Sequence, residues 1–289
     1  MSRIINRKVV TKAPHAGFIG EGHTQVHVIE PKTLAATDPF VLLEDDRLDI
    51  AQRRQIGGAH PHAGLETVTL LLEGTLDDRD EGQLKAGDLL WMTAGRGIIH
   101  SESIHAEGKV RLLQLWIALP ERLRGAAPDF ELVRRDSAPV VRAPGVEARL
   151  YSGSSAGVRS HTRNLVPVTL VDVKMAASRT FTQDLPTTYN GFVYVLDGSI
   201  EIAGTKLVAG EVGWSAPSDA TDIVIAASEE GARFVLYGGE PLREPLVQHG
   251  PFVAGSQEQI RNYYERFRTG QFASMDALAH ARNEERKAV

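Results

Sequence analysis

The chain of 289 residues contains no cysteine. Disulfide bonds, thiolate zinc sites, iron–sulfur clusters and cysteine nucleophiles are therefore excluded. The chain also has no apolar run of the roughly 18–20 residues that a membrane-spanning helix needs. Its first eight residues lack the apolar core of a signal peptide. We therefore expect a reduced, cytoplasmic location and no membrane partner.

The chain also lacks an excess of positive charge. It has 32 lysines and arginines against 37 aspartates and glutamates, which gives a formal net charge of −5. A dedicated nucleic-acid-binding protein normally presents a basic face that displaces counterions, so direct binding to nucleic acid is not expected. Hydrophobic residues make up 42% of the chain and charged residues 24%, which indicates a packed core rather than disorder.

Two short motifs of the first half recur in the second half. Residues 72–76 (LEGTL) resemble residues 196–200 (LDGSI), and residues 85–91 (KAGDLLW) resemble residues 208–214 (VAGEVGW). Each copy has an apolar strand, a turn at an acidic residue and glycine, a return strand, a second glycine turn and another apolar strand. Repeated hairpins without helical periodicity predict an all-β fold of two tandem antiparallel β-sandwich or barrel domains.

Two pairs of potential ligands lie in the first copy, a His-x-His pair at residues 60–62 and a His-x-Glu pair at residues 100–102. Side chains two residues apart in a strand lie on the same side of it. On facing strands, the two pairs would bring three imidazoles and one carboxylate around one ion, a set that suits Fe, Mn, Co or Ni. An octahedral ion would keep two positions free for chemistry. The predicted metal ligands are His60, His62, His100 and Glu102.

The repeat offers an internal control for these four residues. Shifted by the repeat offset of 124 and then 123 residues, they correspond to Asp184, Pro186, Ile223 and Ile225. The second copy thus keeps the turns and the tryptophan but none of the predicted ligands. The alternative interpretation is that the four are unrelated polar residues on sheet faces. That alternative is disfavoured because the second copy shows that the fold does not require them.

Glu66 has several possible roles. It could be a fifth ligand, a hydrogen-bond partner that orients an imidazole, or a group that contacts the substrate or exchanges a proton with it. Strand parity alone would place Glu66 on the same face as His60 and His62. We favour the orienting or acid–base role over direct ligation.

The other histidines are expected to be structural or surface residues. His23 and His27 lie four residues apart in a strand-like segment, and the sequence shows no convincing partner for either. Trp91 and Trp214 occupy matching positions of the repeat, so both are expected to pack in a core.

We predict three segments along the chain. Residues 1–135 form an N-terminal domain with the metal site, residues 136–245 form a C-terminal domain without metal ligands, and residues 246–289 form a helical tail. The stretch 120–144, which contains several prolines and charges, is interpreted as the connection between the two barrels.

The tail has the features of a short helix. Residues 256–259 (SQEQ) resemble a capping box, and Gly270 is a plausible stop. The apolar residues between them fall on one helical face, namely Ile260, Tyr263, Tyr264 and Phe267. A second, more polar helix is predicted over about 273–287.

Several motifs together resemble the pirin family of bicupins, over most of the chain. The motifs are residues 38–40 (DPF), 60–68 (HPHAGLETV), 72–74 (LEG), 87–102 (GDLLWMTAGRGIIHSE), 114–116 (QLW) and 247–253 (VQHGPFV). The resemblance implies two tandem cupin barrels with the metal in the N-terminal one. Carried over residue by residue, the family ligands fall on His60, His62, His100 and Glu102, which leaves Glu66 as a non-ligand.

The resemblance also implies a cofactor and an activity. The family metal is usually iron, so one divalent transition metal is expected. Fe(II) is favoured, with Mn, Co, Ni, Cu and Zn as alternatives. Several bacterial members cleave flavonols such as quercetin with dioxygen. We therefore predict a quercetin 2,3-dioxygenase-like enzyme that acts on an aromatic enol and O2, with Glu102 or Glu66 as the candidate base for the substrate hydroxyl.

Two other functions remain open at this point. Eukaryotic members of the family act as redox-sensitive partners of transcription regulators. The protein could accordingly be a non-enzymatic, iron-dependent redox sensor that binds a regulatory protein partner. It could also be a metal-dependent cupin with another small substrate, for which flavonol cleavage is a side activity.

Overall fold

The computed structural model describes residues 2–17, 19–31, 34–56, 58–78, 82–101 and 104–278. The chain divides into two compact units. Statements about each unit refer to its described residues. The histidine unit comprises Ala13–Arg135 and Leu242–Val289, and the apolar unit comprises Met1–Lys12 and Asp136–Pro241.

Strands account for most of the secondary structure. In chain order the first strands are β1 (Arg7–Val10), β2 (His15–Ala16), β3 (His23–Ile29), β4 (Phe40–Ile56), β5 (Ala59–His62), β6 (Leu65–Glu73), β7 (Thr75–Asp78), β8 (Gly82–Lys85), β9 (Leu89–Thr93), β10 (Ile98–Ser101), β11 (Ile104–Ala118) and β12 (Asp129–Val133). They are followed by β13 (Val140–Ala143), β14 (Val146–Ser152), β15 (Ser154–Ser155), β16 (Val158–Arg159), β17 (Val168–Met175), β18 (Thr180–Asp184), β19 (Asn190–Ile202), β20 (Thr205–Val208), β21 (Glu211–Ser215), β22 (Asp222–Gly239), β23 (Val247–His249), β24 (Phe252–Ala254) and β25 (Ala273–Ser274). The helices are α1 (Leu34–Thr37), a 3₁₀ turn (Glu121–Leu123) and α2 (Gln257–Arg268).

The histidine unit is built on a large antiparallel sheet in the order β12-β9-β6-β11-β4-β3-β2, with β7 pairing with both β11 and β8. A smaller sheet has the order β25-β10-β5, in which β10 is antiparallel to β5 and parallel to β25. Apolar clusters fill this unit, and two of them are used below. The distal cluster is Leu48, Ile50, Leu71, Leu76, Leu84, Leu90, Val110 and Leu112. The proximal cluster is Val41, Leu65, Met92, Ala94, Ile98, Ala118, Val253 and Met275, with Leu42 and Trp116 packed against it.

The apolar unit repeats this architecture. Its sheet has the order β1-β21-β19-β22-β17-β14-β13, with β18 on β22 and β20 on β19. A continuous cluster of buried aliphatic and aromatic side chains fills it, from Val146 in β14 to Leu236 in β22. The predicted all-β fold of two antiparallel domains is confirmed.

The turns that revealed the repeat adopt the same backbone in both copies. Gly74 and Gly198 have φ of +83° and +68°, and the later turns at Gly87 and Gly210 have φ of +91° and +84°. Residues with a side chain rarely adopt this region, which explains why glycine recurs at each turn. The two matching tryptophans are both buried, as expected from their positions.

Neither compact unit is a contiguous segment of the chain. The first residues belong to the apolar unit and the last residues to the histidine unit, which differs from the contiguous segments predicted from the sequence. Strand β1 pairs with β21 in the apolar unit, and buried Arg3 donates hydrogen bonds to four backbone carbonyls there. Conversely, the backbone N–H groups of Leu242 and Arg243 donate to the carboxylate of Asp38 in the histidine unit, both at 2.8 Å. The predicted domain boundaries at residues 135 and 245 therefore remain a prediction.

The predicted helix of the tail is α2. It begins after Ser256, whose hydroxyl accepts a hydrogen bond from the N–H of Gln259 at 3.3 Å, and its buried face includes Ile260 and Tyr263. The next predicted helix starts later than expected because residues 273–274 pair with β10 as β25. Residues 275–278 are helical, and the rest of that prediction lies outside the described residues.

Candidate metal centre

Three of the four ligands predicted from the sequence lie on neighbouring strands. Strand β5 runs antiparallel to β10, with His60 directly opposite His100 and His62 opposite Ile98. Paired residues of antiparallel strands point to the same face, so the register itself brings the imidazoles together. Glu102 follows β10 and lies outside the described residues.

Two glycines with positive φ bound these short strands. Gly64, with φ of +78°, ends the segment after β5, and a Cβ there would lie 1.8 Å from the carbonyl oxygen of Val253. Gly97, with φ of +132°, precedes β10, and a Cβ there would lie 2.4 Å from the ring of Phe272. The close approach of the tail segment therefore requires glycine at both positions.

The three imidazoles converge. One ring nitrogen from each of His60, His62 and His100 lies within 4.8 Å of the others, and Nε2 of His60 is 2.9 Å from Nε2 of His100. The ring centroids are 4.4–5.1 Å apart. Three nitrogens at this spacing can bind one transition-metal ion, and imidazole ligation is compatible with several such ions.

The hydrogen bonds around the rings fit metal binding. Nδ1 of His60 lies 2.9 Å from the carbonyl oxygen of Gly58. When Nδ1–H donates to that carbonyl, Nε2 keeps its lone pair for the ion. Nδ1 of His62 is buried and has no hydrogen-bond partner among the described residues. An orphaned buried nitrogen beside two other imidazoles is an observation that a bound cation would explain.

The electrostatics favour a neutral His62. Burial lowers the pKa of His62 well below its ordinary value, and the neighbouring charges of His100 and His60 lower it further, against an opposing effect of the Pro251 carbonyl. A metal binds the neutral ring, so His62 is held in its metal-binding form near neutral pH. His62 and His100 are buried while His60 is half-buried, which leaves the group accessible from the side of His60.

Trp116 forms a wall of the site that sequence reasoning did not assign. Its ring meets the ring of His62 edge to face, with centroids 5.1 Å apart. Trp116 also packs against the proximal cluster, so the centre has an apolar aromatic flank. The only signal in the sequence was the motif at residues 114–116, which marked family resemblance rather than a role.

Glu66 is not brought into this group. It is paired with Ile117 and Thr93, and Oγ1 of Thr93 donates to its Oε1 at 2.8 Å. Ile117 follows Trp116 in β11, and consecutive residues of a strand point to opposite faces. Glu66 therefore lies on the face of the large sheet opposite to Trp116. The alternation of side chains along β5 does not continue past Gly64 to Glu66, because β5 and β6 belong to different sheets.

Two histidines that lacked a partner in the sequence have acidic partners in the structure. Nε2 of His23 lies 2.7 Å from Oδ1 of Asp46, and Nδ1 of His27 lies 2.6 Å from Oε1 of Glu44. The sequence did not reveal these partners, because the register between β3 and β4 cannot be read from spacing alone.

Two antiparallel β-domains in tandem, one with three convergent imidazoles, define a bicupin with a candidate metal centre. The Pirin family matches residues 22–117, and the family described as Pirin C-terminal cupin domain matches residues 170–273. A pirin-like protein of Solanum lycopersicum is 31% identical over 275 residues, covering 93% of this chain and 92% of its own. Pirin of Mus musculus is 33% identical over 234 residues, covering 77% and 79%. The chain belongs to the pirin family.

Solved structures agree with this assignment. A quercetin 2,3-dioxygenase from Acinetobacter baumannii superposes with a TM-score of 0.86 at 26% identity, covering 95% of this chain and all of the other. The Escherichia coli pirin YhhW in complex with nickel(II) gives a TM-score of 0.62 at 21% identity, covering 81% of this chain and all of the other, and shows the shared fold. In the described part of the chain, no helix is long and apolar enough to cross a membrane.

Proposed function

We propose that this protein is a metal-dependent dioxygenase of the pirin type that cleaves a flavonol such as quercetin with O2. The convergence of His60, His62 and His100 beside Trp116 carries the proposal. It joins a set of metal-binding nitrogens to an aromatic surface that suits a planar substrate. The similarity to a structure named quercetin 2,3-dioxygenase supports the reaction type.

We assign Fe(II) as the cofactor, with Glu102 as its fourth ligand. Three imidazoles and one carboxylate are borderline-to-hard donors, and Mn, Co, Ni, Cu and Zn are the competing ions. When bound, the metal supplies Lewis-acid chemistry and a common site for the substrate oxygen and O2.

The protein residues bind, orient and move protons around that centre. The neutral state of His62 avoids repulsion of a cation. Trp116 orients a flat ring system against the imidazoles and excludes water from one side. Glu102 is the candidate base for the substrate hydroxyl. We favour Glu102 over Glu66 for this role, because Glu66 accepts a hydrogen bond from Thr93 and pairs with Ile117 rather than Trp116.

The test is oxygen uptake by protein of known metal content. Wild type loaded anaerobically with iron should consume O2 only when quercetin is added, and uptake should follow the metal content. His62→Ala should abolish both metal binding and uptake. His161→Ala, which changes an exposed histidine elsewhere, should alter neither.

The same assay separates the competing functions. If iron binds at one ion per chain and no flavonol supports oxygen uptake, the dioxygenase proposal fails. The non-enzymatic redox sensor then becomes the better explanation, and a regulatory protein partner should be sought by comparing the oxidised and reduced protein. If another enol supports faster uptake than quercetin does, the chemistry stands and flavonol cleavage is the side activity.

A further inference from the structure

A second cluster of titratable side chains lies on β3 and β4 of the histidine unit. We call it the polar layer, and its members are the two hydrogen-bonded pairs His27–Glu44 and His23–Asp46. Glu44 and Asp46 are only 3% and 6% exposed. No step of the proposed reaction uses these residues, so their burial needs a separate explanation.

Glu44 lies on the same sheet face as Trp116. In the pairing of β4 with β11, Glu44 is opposite Gln114 and Leu42 is opposite Trp116. Paired residues share a face, as do residues two apart in one strand, and that step is about 7 Å long. Glu44 thus stands in the row next to the tryptophan whose ring contacts His62.

The polar layer separates the two apolar clusters of this face. Leu42 packs against the proximal cluster and Leu48 belongs to the distal cluster, while Glu44 and Asp46 occupy the positions between them on β4. The apolar unit shows that such an interior can be filled with apolar side chains. Buried carboxyl groups disfavour folding unless they are paired, and His27 pairs with only one oxygen of Glu44.

One oxygen of Glu44 lacks a hydrogen-bond partner among the described residues. Oε1 is held by His27 at 2.6 Å, whereas Oε2 is buried and has no hydrogen-bond partner in the described part of the chain. The adjacent amide oxygen of Gln114 accepts from Oγ1 of Thr69 at 2.6 Å. Buried polar atoms in native proteins are normally hydrogen-bonded, which leaves Oε2 as an unfilled position.

The carboxyl group is protonated near neutral pH. Burial raises the pKa of Glu44 to about 9, and the charges of nearby acidic groups raise it in the same direction. The titratable groups around it are Asp46, Glu30, His27 and, with its ring 4.3 Å from that of His27, His15. On the β11 side the neighbour is the uncharged Gln114. A protonated carboxyl can both donate and accept a hydrogen bond.

We propose that Glu44 is a recognition group of the candidate site, in which Oε2 hydrogen-bonds a hydroxyl group of an uncharged polyphenol or enol while His27 holds Oε1. This inference rests on the proposed function and adds to it a residue that recognises the substrate. Trp116 would contact the flat face of the ligand, and Glu44, one row away, would contact a hydroxyl group at its far end.

The same layer should select against anions. Asp46 and Glu30 contribute negative charge beside Glu44, and like charges in a buried setting repel strongly. A small dianion such as oxalate is therefore disfavoured relative to a neutral polyphenol.

The experiment measures ligand affinity separately from turnover. Iron-loaded wild type, Glu44→Gln and Glu44→Leu are titrated with quercetin under anaerobic conditions, after metal content and thermal unfolding have been checked. Glu44→Leu should bind quercetin about tenfold more weakly at unchanged metal content, which corresponds to one lost hydrogen bond. Glu44→Gln should stay within about threefold of wild type because an amide also donates and accepts. Oxalate should bind none of them measurably.

A pH series provides a second readout. The ratio of the quercetin Kd values of wild type and Glu44→Gln cancels the ionisation of the ligand itself. As pH rises through 9, wild type should lose affinity relative to the variant, because only its side chain can ionise. This comparison also decides the matter if Glu44→Leu does not fold.

Each failure has its own signature. Equal quercetin binding by wild type and Glu44→Leu, or a constant Kd ratio from pH 7 to 10, overturns this inference and leaves the dioxygenase proposal intact. Asp46 lies one row further from Trp116 than Glu44 does. If Asp46→Asn loses as much quercetin affinity as Glu44→Leu, the inference is also overturned, because the loss would not be specific to Glu44. If metal-loaded wild type binds oxalate but no polyphenol, both proposals fall.

Discussion

The two units have similar strand arrangements, but one contains three convergent imidazoles and the other is filled by apolar side chains. In the histidine unit, His60 faces His100 across the β5–β10 ladder. In the apolar unit, Ile223, which matches His100 in the repeat, faces Gln183 across the β18–β22 ladder, and Asp184, which matches His60, faces Asp222. Ile223 joins the apolar cluster, and the amide of Gln183 donates to two backbone carbonyls. The comparison teaches that the strand pairing is independent of the imidazoles, so the histidines are there for a local purpose.

The energetics of the two interiors point the same way. Burial of an aliphatic side chain stabilises a fold by about 1.5–3 kcal/mol, whereas the pKa of His62 is lowered by the desolvation and mutual repulsion of imidazoles. Groups held in an unfavourable environment are characteristic of functional sites. The histidine unit contains such a group of imidazoles, whereas the apolar unit has stabilising apolar contacts.

The largest difference between the units is expected from removal of a ligand. His100→Ala should reduce the metal content from one ion per chain to less than about one-tenth, and quercetin-dependent oxygen uptake by about 100-fold or more. Ile223→Ala, at the matching place in the apolar unit, should leave both unchanged. Elemental analysis and an oxygen electrode measure the two quantities, and full metal content in His100→Ala would contradict the assignment.

A large-to-small change in the apolar unit should have the converse effect. Phe234 is fully buried in its cluster, so Phe234→Ala should lower the free energy of unfolding by about 3–5 kcal/mol through lost burial and a cavity. Metal content per folded chain should not change. Urea denaturation with parallel metal analysis checks this, and loss of metal from the folded variant would mean that the two interiors are not independent.

The polar layer should make the stability of the histidine unit depend on pH. The folded chain keeps the Glu44 proton up to a pKa of about 9, whereas an unfolded glutamate releases it near 4.5. The folded state therefore binds more protons between these values, and the free energy of unfolding falls as pH rises through that window. Glu44→Gln should remove this pH dependence. Its free energy of unfolding relative to that of wild type should therefore rise by a few kcal/mol as pH approaches 9.

The pH prediction is checked by denaturation of both proteins at intervals from pH 4 to 10, so that other titrating groups cancel in the difference. A constant difference over the whole range would show that Glu44 has an ordinary pKa in the folded state. The apolar unit offers a control in Gln183, a neutral buried side chain, since Gln183→Leu should shift stability by the same amount at every pH.

The smallest effect is expected at the aromatic wall. Trp116→Leu should weaken anaerobic quercetin binding by about three- to tenfold, the loss expected for one aromatic contact, while metal content is retained. Trp214→Leu, which removes a buried tryptophan of the apolar unit, should leave quercetin binding unchanged. An unaltered quercetin Kd in Trp116→Leu would remove Trp116 from the substrate surface.

Much of the fold could be predicted because it depends on local rules. The turn glycines, such as Gly74 and Gly198, require positive φ and therefore recur in both copies. The His-x-His spacing could be read in the same way, since two residues in a strand share a face whatever the rest of the chain does. These features need no knowledge of distant contacts.

The features that could not be read from the sequence have a common physical cause. Glu66 was placed by continuing the parity of β5, but Gly64 interrupts the strand and β6 joins another sheet. His27 was given no partner because Glu44 lies 17 residues away and meets it only through the β3–β4 register. The crossing of both chain ends between the units likewise depends on pairing over the full length of the chain.

The sequence by itself determined the strand character, the repeat, the turn positions and three of the side chains that could bind a metal. All of these follow from local backbone preferences and from the period of two in a strand. The tertiary structure decided which of those side chains meet, that the ring of Trp116 contacts His62, and that Glu44 is a buried acid one row from Trp116. Register and burial set those outcomes, and both arise from contacts between residues far apart in the chain.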